Sequence, residues 1–240
     1  MRYFLIAGEA SGDLHAAALM HELKKVDAQA EFCYMGGDLM QALGGKLVQH
    51  YKNTAFMGFI RVLMNFRKVM KSFEVCKKAL NDYNPNVVIL IDFPGFNLTM
   101  AKFVKRKLHK PVFYYIPPKI WAWKEGRIKQ IKKYVDKVFV ILPFEPDFYR
   151  KHNYEVEYTG NPTAEQIEKS KFYIPDFEEF IRQNNLSSKP IIALLPGSRR
   201  QEISACLPKM LRAASDFNQY QIVVSGAPGI EPSFYKPFLK

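Results

Sequence analysis

Asn86-Val87-Val88-Ile89-Leu90-Ile91-Asp92-Phe93-Pro94-Gly95-Phe96-Asn97 is the stretch on which the fold turns. Val87 to Ile91 are all apolar and mostly β-branched. A strand with one wet face would alternate apolar and polar residues. An unbroken run instead predicts a strand, Asn86–Asp92, buried on both faces, as in a parallel sheet covered by helices. Asp92 follows the run directly. A carboxylate there lies at the carboxyl end of the sheet, where such sheets open their ligand crevice. Desolvation at that place raises a carboxyl pKa toward that of a general base. The alternative for Asp92 is to cap the helix that follows.

Outward from this run, strand-length segments alternate with helical patterns. Strands are expected at Arg2–Ala7, Glu31–Gly36, Pro111–Ile116, Lys137–Leu142 and Val156–Tyr158. Helices are expected at Leu14–Lys25, within Met57–Asp82, at Phe96–His109 and at Gly126–Tyr134. Alternation of this kind implies βαβ units and an α/β, Rossmann-type parallel sheet. The polar, turn-rich segment Asn184–Pro190 reads as a linker. After it come a strand (Ile191–Leu195), a Gly loop, a helix (about Glu202–Phe217) and a strand (Gln221–Val224). The expected organisation is one α/β domain over 1–185 and the beginning of a second over 186–240.

Composition bounds the function. The chain has 240 residues, is 48% hydrophobic and 24% charged, and carries a formal charge of +12. Wholesale disorder is excluded. Three scattered cysteines (Cys33, Cys76, Cys206) exclude a disulfide scaffold or a cysteine zinc site and suit a reducing cytoplasm. No secretory signal or membrane-spanning run is read, so a soluble or peripheral protein is expected. The charge is clustered: eleven Lys/Arg against Glu125 alone between Ala101 and Lys133, and six against Glu74 between Arg61 and Lys78. Such patches attract phosphates, nucleic acid or anionic lipid.

Four loops and one helix carry candidate chemistry. Gly8-Glu9-Ala10-Ser11-Gly12-Asp13 follows the first strand; Ser11 is placed to cap the next helix, whose N–H groups favour an anion or hydroxyl oxygen. Ile116-Pro117-Pro118-Lys119-Ile120-Trp121-Ala122-Trp123-Lys124-Glu125-Gly126-Arg127 sets aromatic faces beside cations, which suits sugar or phosphate binding. In Leu195-Pro196-Gly197-Ser198-Arg199-Arg200-Gln201-Glu202, a strand, a Gly-Ser turn and a helix start form a phosphate cradle with Arg199 as a clamp. Residues 56–73 combine a broad, methionine-rich apolar sector with basic side chains, fitting an interfacial helix or an acyl-chain groove. The alternatives are a plain capped turn for Gly8–Asp13, tryptophans packed into the core for the Trp121–Trp123 loop, a helix cap with an exposed arginine for the Arg199 loop, and a core helix of the sheet for residues 56–73.

Taken in order, these stretches resemble the lipid-A-disaccharide synthase family, glycosyltransferases of GT-B architecture. The matching motifs are Gly8–Asp13, Met57–Phe59, Ile91–Asn97, Ile120–Arg127, Pro143–Tyr149, Gly160–Pro162 and Leu194–Glu202. The resemblance implies transfer of 2,3-diacylglucosamine from UDP to the 6-hydroxyl of 2,3-diacylglucosamine 1-phosphate, with inversion and release of UDP. It implies Asp92 as the catalytic base. It assigns Glu9, Ser11, Gly12, Asp13, Asn97, Trp121 and Arg127 to substrate binding, and Gly197, Ser198, Arg199 and Glu202 to the nucleotide phosphates. Phe56, Met57, Phe59, Met64 and Phe66 become the lipid-facing set. No metal and no cofactor are implied. The implied location is the cytoplasm, peripheral on the inner face of an anionic cytoplasmic membrane, with a homodimer left open. The chain departs from the family pattern at Arg61, at Pro117-Pro118-Lys119 and at Asn161, and is expected to hold only the start of the nucleotide-binding domain. Two other readings compete: a different GT-B enzyme acting on UDP-sugars, such as an epimerase or peptidoglycan glycosyltransferase, and a basic nucleic-acid-binding protein. No RRM, KH or helix-turn-helix signature supports the latter.

Overall fold

The run Val87–Ile91 forms strand β4, and all five of its residues are buried. A computed structural model describes residues 1–53, 66–169, 176–227 and 230–239. The chain divides into two units, Met1–Ser170 and Lys171–Lys240. The division falls upstream of the polar segment Asn184–Pro190, so the helix Phe177–Gln183 belongs to the second unit.

In the first unit β4 lies inside a seven-stranded sheet with β1 (Arg2–Ala7), β2 (Glu31–Gly36), β3 (Lys46–His50), β5 (Val112–Tyr115), β6 (Lys137–Val140) and β7 (Glu157–Tyr158). The strand order is β3-β2-β1-β4-β5-β6-β7 and every pairing is parallel. The chain builds outward from β1 to β3, then returns to lay β4 on the other side of β1. That reversal is the topological switch point, where the loops after two adjacent strands part and leave a crevice.

Period-2 alternation sends each strand's side chains to two cores. Phe4, Ile6, Val88, Leu90, Val112, Tyr114, Val138 and Val140 face one side. Helices α3 (Phe66–Tyr83), α4 (Pro94–Phe103), α5 (Ile128–Tyr134) and α6 (Glu145–Lys151) contribute Cys76, Leu80, Met100, Ile131 and Tyr149 to it. Tyr3, Leu5, Phe32, Tyr34, Val87, Ile89 and Ile91 face the other, against Ala16 and Met20 of α1 (Ala10–Val26) and Met40 of α2 (Asp38–Ala42). Helix α7 (Pro162–Lys169) ends the described part of this unit. The second unit holds α8 (Phe177–Gln183) and a βαβ piece: β8 (Ile191–Leu194), α9 (Arg200–Ala214) and β9 (Gln221–Val224), with β8 and β9 parallel.

Two buried polar side chains hold the switch point. Asn97, fully buried on α4, donates through Nδ2 to the carbonyls of Ile6 (3.3 Å), Ile91 (3.2 Å) and Asp92 (2.7 Å). It thereby ties the ends of β1 and β4 to the turn after β4. Asp13, 2% exposed, accepts from the backbone N–H groups of Gly37 (2.7 Å), Leu39 (3.0 Å) and Met40 (3.2 Å). Its charge caps α2, a job normally done by a residue of the capped helix itself. Both residues are assigned to substrate binding in the sequence analysis; the Asp13 oxygens and the Asn97 amide nitrogen are engaged inside the fold, and the Asn97 Oδ1 is buried without a partner among the described residues.

Asn97→Ala should therefore lower unfolding free energy by about 1–3 kcal/mol, because buried carbonyls lose a donor. Urea denaturation checks this. Thr99→Ala, on the same helix but exposed, should change stability by less than about 0.5 kcal/mol.

Candidate functional site

The sequence after β1 is not a loop capped by Ser11. Helix α1 starts at Ala10, its N-cap is Glu9 without a side-chain cap hydrogen bond, and Ser11 is an exposed residue of the first turn. Gly12 explains how that turn reaches the sheet. A Cβ there would lie 3.3 Å from the Ala7 Cβ, a tight contact, and 3.9 Å from the Ile91 carbonyl oxygen, so glycine eases the close approach of α1 to the ends of β1 and β4. Glu9 is half-buried at the same edge.

Across the switch point, Asp92 and Phe93 both have left-handed backbones, with φ of 44° and 48°. Neither is glycine, so each conformation is strained and must be imposed by its surroundings. The imposing contacts are present. The Asp92 carbonyl accepts from the Tyr114 hydroxyl (2.8 Å) and from Asn97, and its N–H donates to the Tyr115 carbonyl (3.3 Å). The backbone of Asp92 is thus fixed, while its side chain is only half-buried.

Electrostatics draw three more groups to Asp92. Burial pushes the Tyr114 hydroxyl well above the ordinary phenol pKa; the Asp92 charge pushes it further, and the Arg127 charge opposes this. Burial lowers the His15 pKa, and the Asp92 charge works against that. The His15 Nδ1 is buried with no hydrogen-bond partner among the described residues. His15 was not singled out in the sequence: a lone histidine on an amphipathic helix carries no local signal.

Further along the same edge, Ile116 after β5 is also left-handed (φ 57°). Trp121 donates its indole N–H to the Glu145 carboxylate (3.2 Å) and meets the Phe144 ring at 5.0 Å. Trp123 is mostly exposed, with Lys124 Nζ 4.3 Å and the Arg127 guanidinium carbon 5.8 Å from its ring centroid. The structure therefore brings Glu9, Ser11, Gly12, Asp92, Trp121 and Arg127 to the carboxyl edge of one sheet. Phe56, Met57, Phe59 and Met64 lie outside the described residues, and Phe66 opens α3.

In the second unit, Gly197 turns the chain with φ 111°. The Ser198 N–H donates to Glu202 Oε2 (3.2 Å), and Arg199 Nη1 donates to Glu202 Oε1 (2.8 Å). Arg199 first, and then the backbone N–H groups of Ser198 and Arg199, hold the Glu202 carboxyl below the usual carboxylate range. Glu202, in the first turn of α9, thus accepts from the residues that precede the helix, without the reciprocal N-cap side-chain bond of a full capping box. This revises the role given to Glu202 as a phosphate ligand: its like charge sits on donors that a phosphate would use. Gly197, Ser198 and Arg199 lie together just before α9, with the Ser198 N–H and the Arg199 guanidinium engaged by Glu202.

Among the described residues, no group of His, Cys, Asp or Glu is placed to hold a metal ion. Among them also, no helix is long and apolar enough to cross a membrane.

The family model for lipid-A-disaccharide synthetase matches residues 3–236. A lipid-A-disaccharide synthase of Myxococcus xanthus is 39% identical over 236 residues, which cover 96% of this chain and 60% of that protein. One from Coxiella burnetii is 41% identical over 210 residues, covering 87% of this chain and 54% of that protein. The chain thus spans between half and two thirds of the length of these curated relatives. Among solved structures, a UDP-GlcNAc 2-epimerase from Neisseria meningitidis bound to UDP-GlcNAc aligns with TM-score 0.64 at 13% identity, covering 99% of this chain and 68% of that one. A calicheamicin glycosyltransferase aligns with TM-score 0.52 at 13% identity, covering 98% and 66%. Likeness at that identity shows the fold alone, and the fold is of GT-B type.

Asp92 and His15 should titrate as neighbours. A negative charge favours the imidazolium, so Asp92→Asn should lower the His15 pKa below its already depressed value. NMR titration of the imidazole signals reads this directly; an unmoved His15 would place the two groups out of electrostatic reach.

Proposed function

The chain belongs to the lipid-A-disaccharide synthetase family, and from that premise we propose that it carries the acceptor side, and part of the donor side, of an inverting lipid A glycosyl transfer. The donor is UDP-2,3-diacylglucosamine and the acceptor 2,3-diacylglucosamine 1-phosphate. The products are the β-1′,6-linked disaccharide phosphate and UDP.

Asp92 takes the proton of the acceptor 6-hydroxyl. The freed oxygen attacks the donor's anomeric carbon from the face opposite UDP, and the bond from that carbon to the diphosphate oxygen breaks with inversion. The negative charge gathering on the diphosphate needs fixed donors. In the second unit these are the N–H groups around Gly197 and Ser198 and the Arg199 guanidinium, after the phosphate displaces Glu202. Trp121 and Arg127 serve the acceptor's sugar and phosphate. The observation that carries the reading is Asp92 itself: a carboxylate at the switch point, its strained backbone clamped by Tyr114 and Asn97 while its side chain stays accessible. A base needs that combination of rigidity and reach.

The acyl chains and the basic segments favour work at an anionic membrane surface on the cytoplasmic side. Phe56, Met57, Phe59, Met64 and Phe66 are the proposed contact. The competing epimerase reading shares only the fold with this chain. The nucleic-acid reading gains nothing from a basic stretch whose Arg127 and Lys124 are gathered around an exposed tryptophan.

Two measurements test the proposal, on the 240-residue chain and on the same residues joined to the remaining length of the Myxococcus xanthus relative. Asp92→Asn should cut turnover by about 10²–10⁴ and leave acceptor binding nearly unchanged. Retention of more than about a tenth of wild-type turnover would remove Asp92 as the base. Arg199→Ala should weaken UDP binding roughly ten- to a hundredfold by calorimetry, and Arg199→Lys should restore little.

A further inference from the structure

We propose that Glu145 is a positioning residue that fixes Trp121 as a rigid stacking platform for the acceptor's sugar ring. The inference rests on the acceptor-side reading above.

A buried carboxylate is costly unless its oxygens are satisfied. Glu145 is 2% exposed and opens α6 after β6. Its Oε2 accepts from the backbone N–H groups of Leu142 (2.9 Å) and Ile141 (3.2 Å). These two bonds close the turn before α6 and would suffice for a structural role. Its Oε1 does something else: it accepts the indole N–H of Trp121, 24 residues earlier in the chain, at 3.2 Å. The same indole meets Phe144 at 5.0 Å with ring planes 82° apart, and the adjoining Ile120 is a core residue, 1% exposed. Trp121 is thus fixed at its backbone, its ring and its nitrogen.

Yet Trp121 remains 37% exposed. Packing does not require an indole to be immobilised so fully and left in solvent. Trp123 makes the contrast: it is 62% exposed, and its charged neighbours are the mobile side chains of Lys124 and Arg127. A rigid aromatic with open surface suits a hexose phosphate: the sugar's C–H face stacks on the indole, and the phosphate reaches the Lys124 and Arg127 cations gathered at the neighbouring Trp123. The platform also belongs to the Asp92 edge. Tyr149 on α6 feels the Glu145 charge, and Tyr114 feels both Tyr149 and Asp92. Tyr149 and Tyr114 are both buried in the core on the same face of the sheet, and the Tyr114 hydroxyl donates to the Asp92 carbonyl.

The test uses the 240-residue chain carrying Trp123→Phe, so that Trp121 is its sole indole, with glucosamine 1-phosphate as the probe. Glu145→Gln separates the two roles. Its single carbonyl oxygen can keep the two backbone N–H groups, but its NH2 then faces the indole N–H. The expected result is an unchanged circular dichroism spectrum, greater acrylamide quenching of Trp121, and glucosamine 1-phosphate affinity lowered about fivefold or more, the worth of one hydrogen bond. In the original sequence, Trp121→Phe, which deletes only the donor side, should lower affinity by a similar factor, read by calorimetry; adding Glu145→Gln to it should cost nothing further. Equal quenching and equal affinity in Glu145→Gln would overturn the inference. So would an additive double variant, or a parent chain whose Trp121 emission ignores the probe. The general-base reading is tested by the turnover of Asp92→Asn and this inference by Trp121 quenching and probe affinity in Glu145→Gln, so the two fail separately.

Discussion

Everything at the candidate site depends on the parallel pairing of β1 with β4, in which Ile6 lies beside Leu90 and Ala7 beside Ile91. Strands 80 residues apart in sequence are brought side by side, and the chain leaves them toward opposite flanks of the sheet. The turn after β4 cannot relax, because Asn97 reaches back from α4 to the carbonyls of both strands. The N-terminus of α1 cannot move away, because Gly12 lets it rest on the same two strand ends. The crevice is therefore bounded by backbone held on both sides, with side chains projecting from it.

Strain is concentrated at this edge. Asp92, Phe93 and Ile116 all adopt left-handed backbones, and for a β-branched residue such as Ile116 that region is especially unfavourable. Each such residue costs of order 1–3 kcal/mol, offset by contacts that over-determine it. For Asp92 these are the Tyr114 hydroxyl, the Asn97 amide and the pairing to Tyr115. A relaxed turn would have allowed the carboxylate to swing. The arrangement exchanges local stability for a fixed direction of approach.

Legibility in the sequence followed the range of the physics. Strands β1, β2, β4, β5 and β6 were readable because burial on two faces leaves unbroken apolar runs. Strand β3, Lys46–His50, was not: its side chains are only partly covered, and its mixed sequence Lys-Leu-Val-Gln-His shows no run. The start of α1 was misplaced because Ser11-Gly12 looks like a turn, whereas Gly12 is there for a close approach that only the assembled sheet creates. Asp92 was legible because a strand end points to it within one segment. The structural duties of Asn97 and Asp13 were not, since each depends on partners distant in the chain. Glu145 was hidden in a polar, proline-containing turn that gives no hint of Trp121.

Four of the acidic residues in these loops, Asp13, Asp92, Glu145 and Glu202, show how one functional group is assigned to different work. Asp13 and Glu145 are 2% exposed and surrounded by N–H donors that consume their oxygens. Such carboxylates are fixed in place, with their oxygens turned to the fold's own donors. Glu202 is exposed but bound to an arginine and to the turn it caps, so it can yield to a stronger anion. Asp92 alone combines a clamped backbone with a half-buried carboxylate beside an imidazole and a buried phenol. Residue type and even loop position are shared by all four. Burial, 2% exposure for Asp13 and Glu145 against a half-buried Asp92, separates the carboxylates spent on the fold from the accessible one, and burial is a property of the fold.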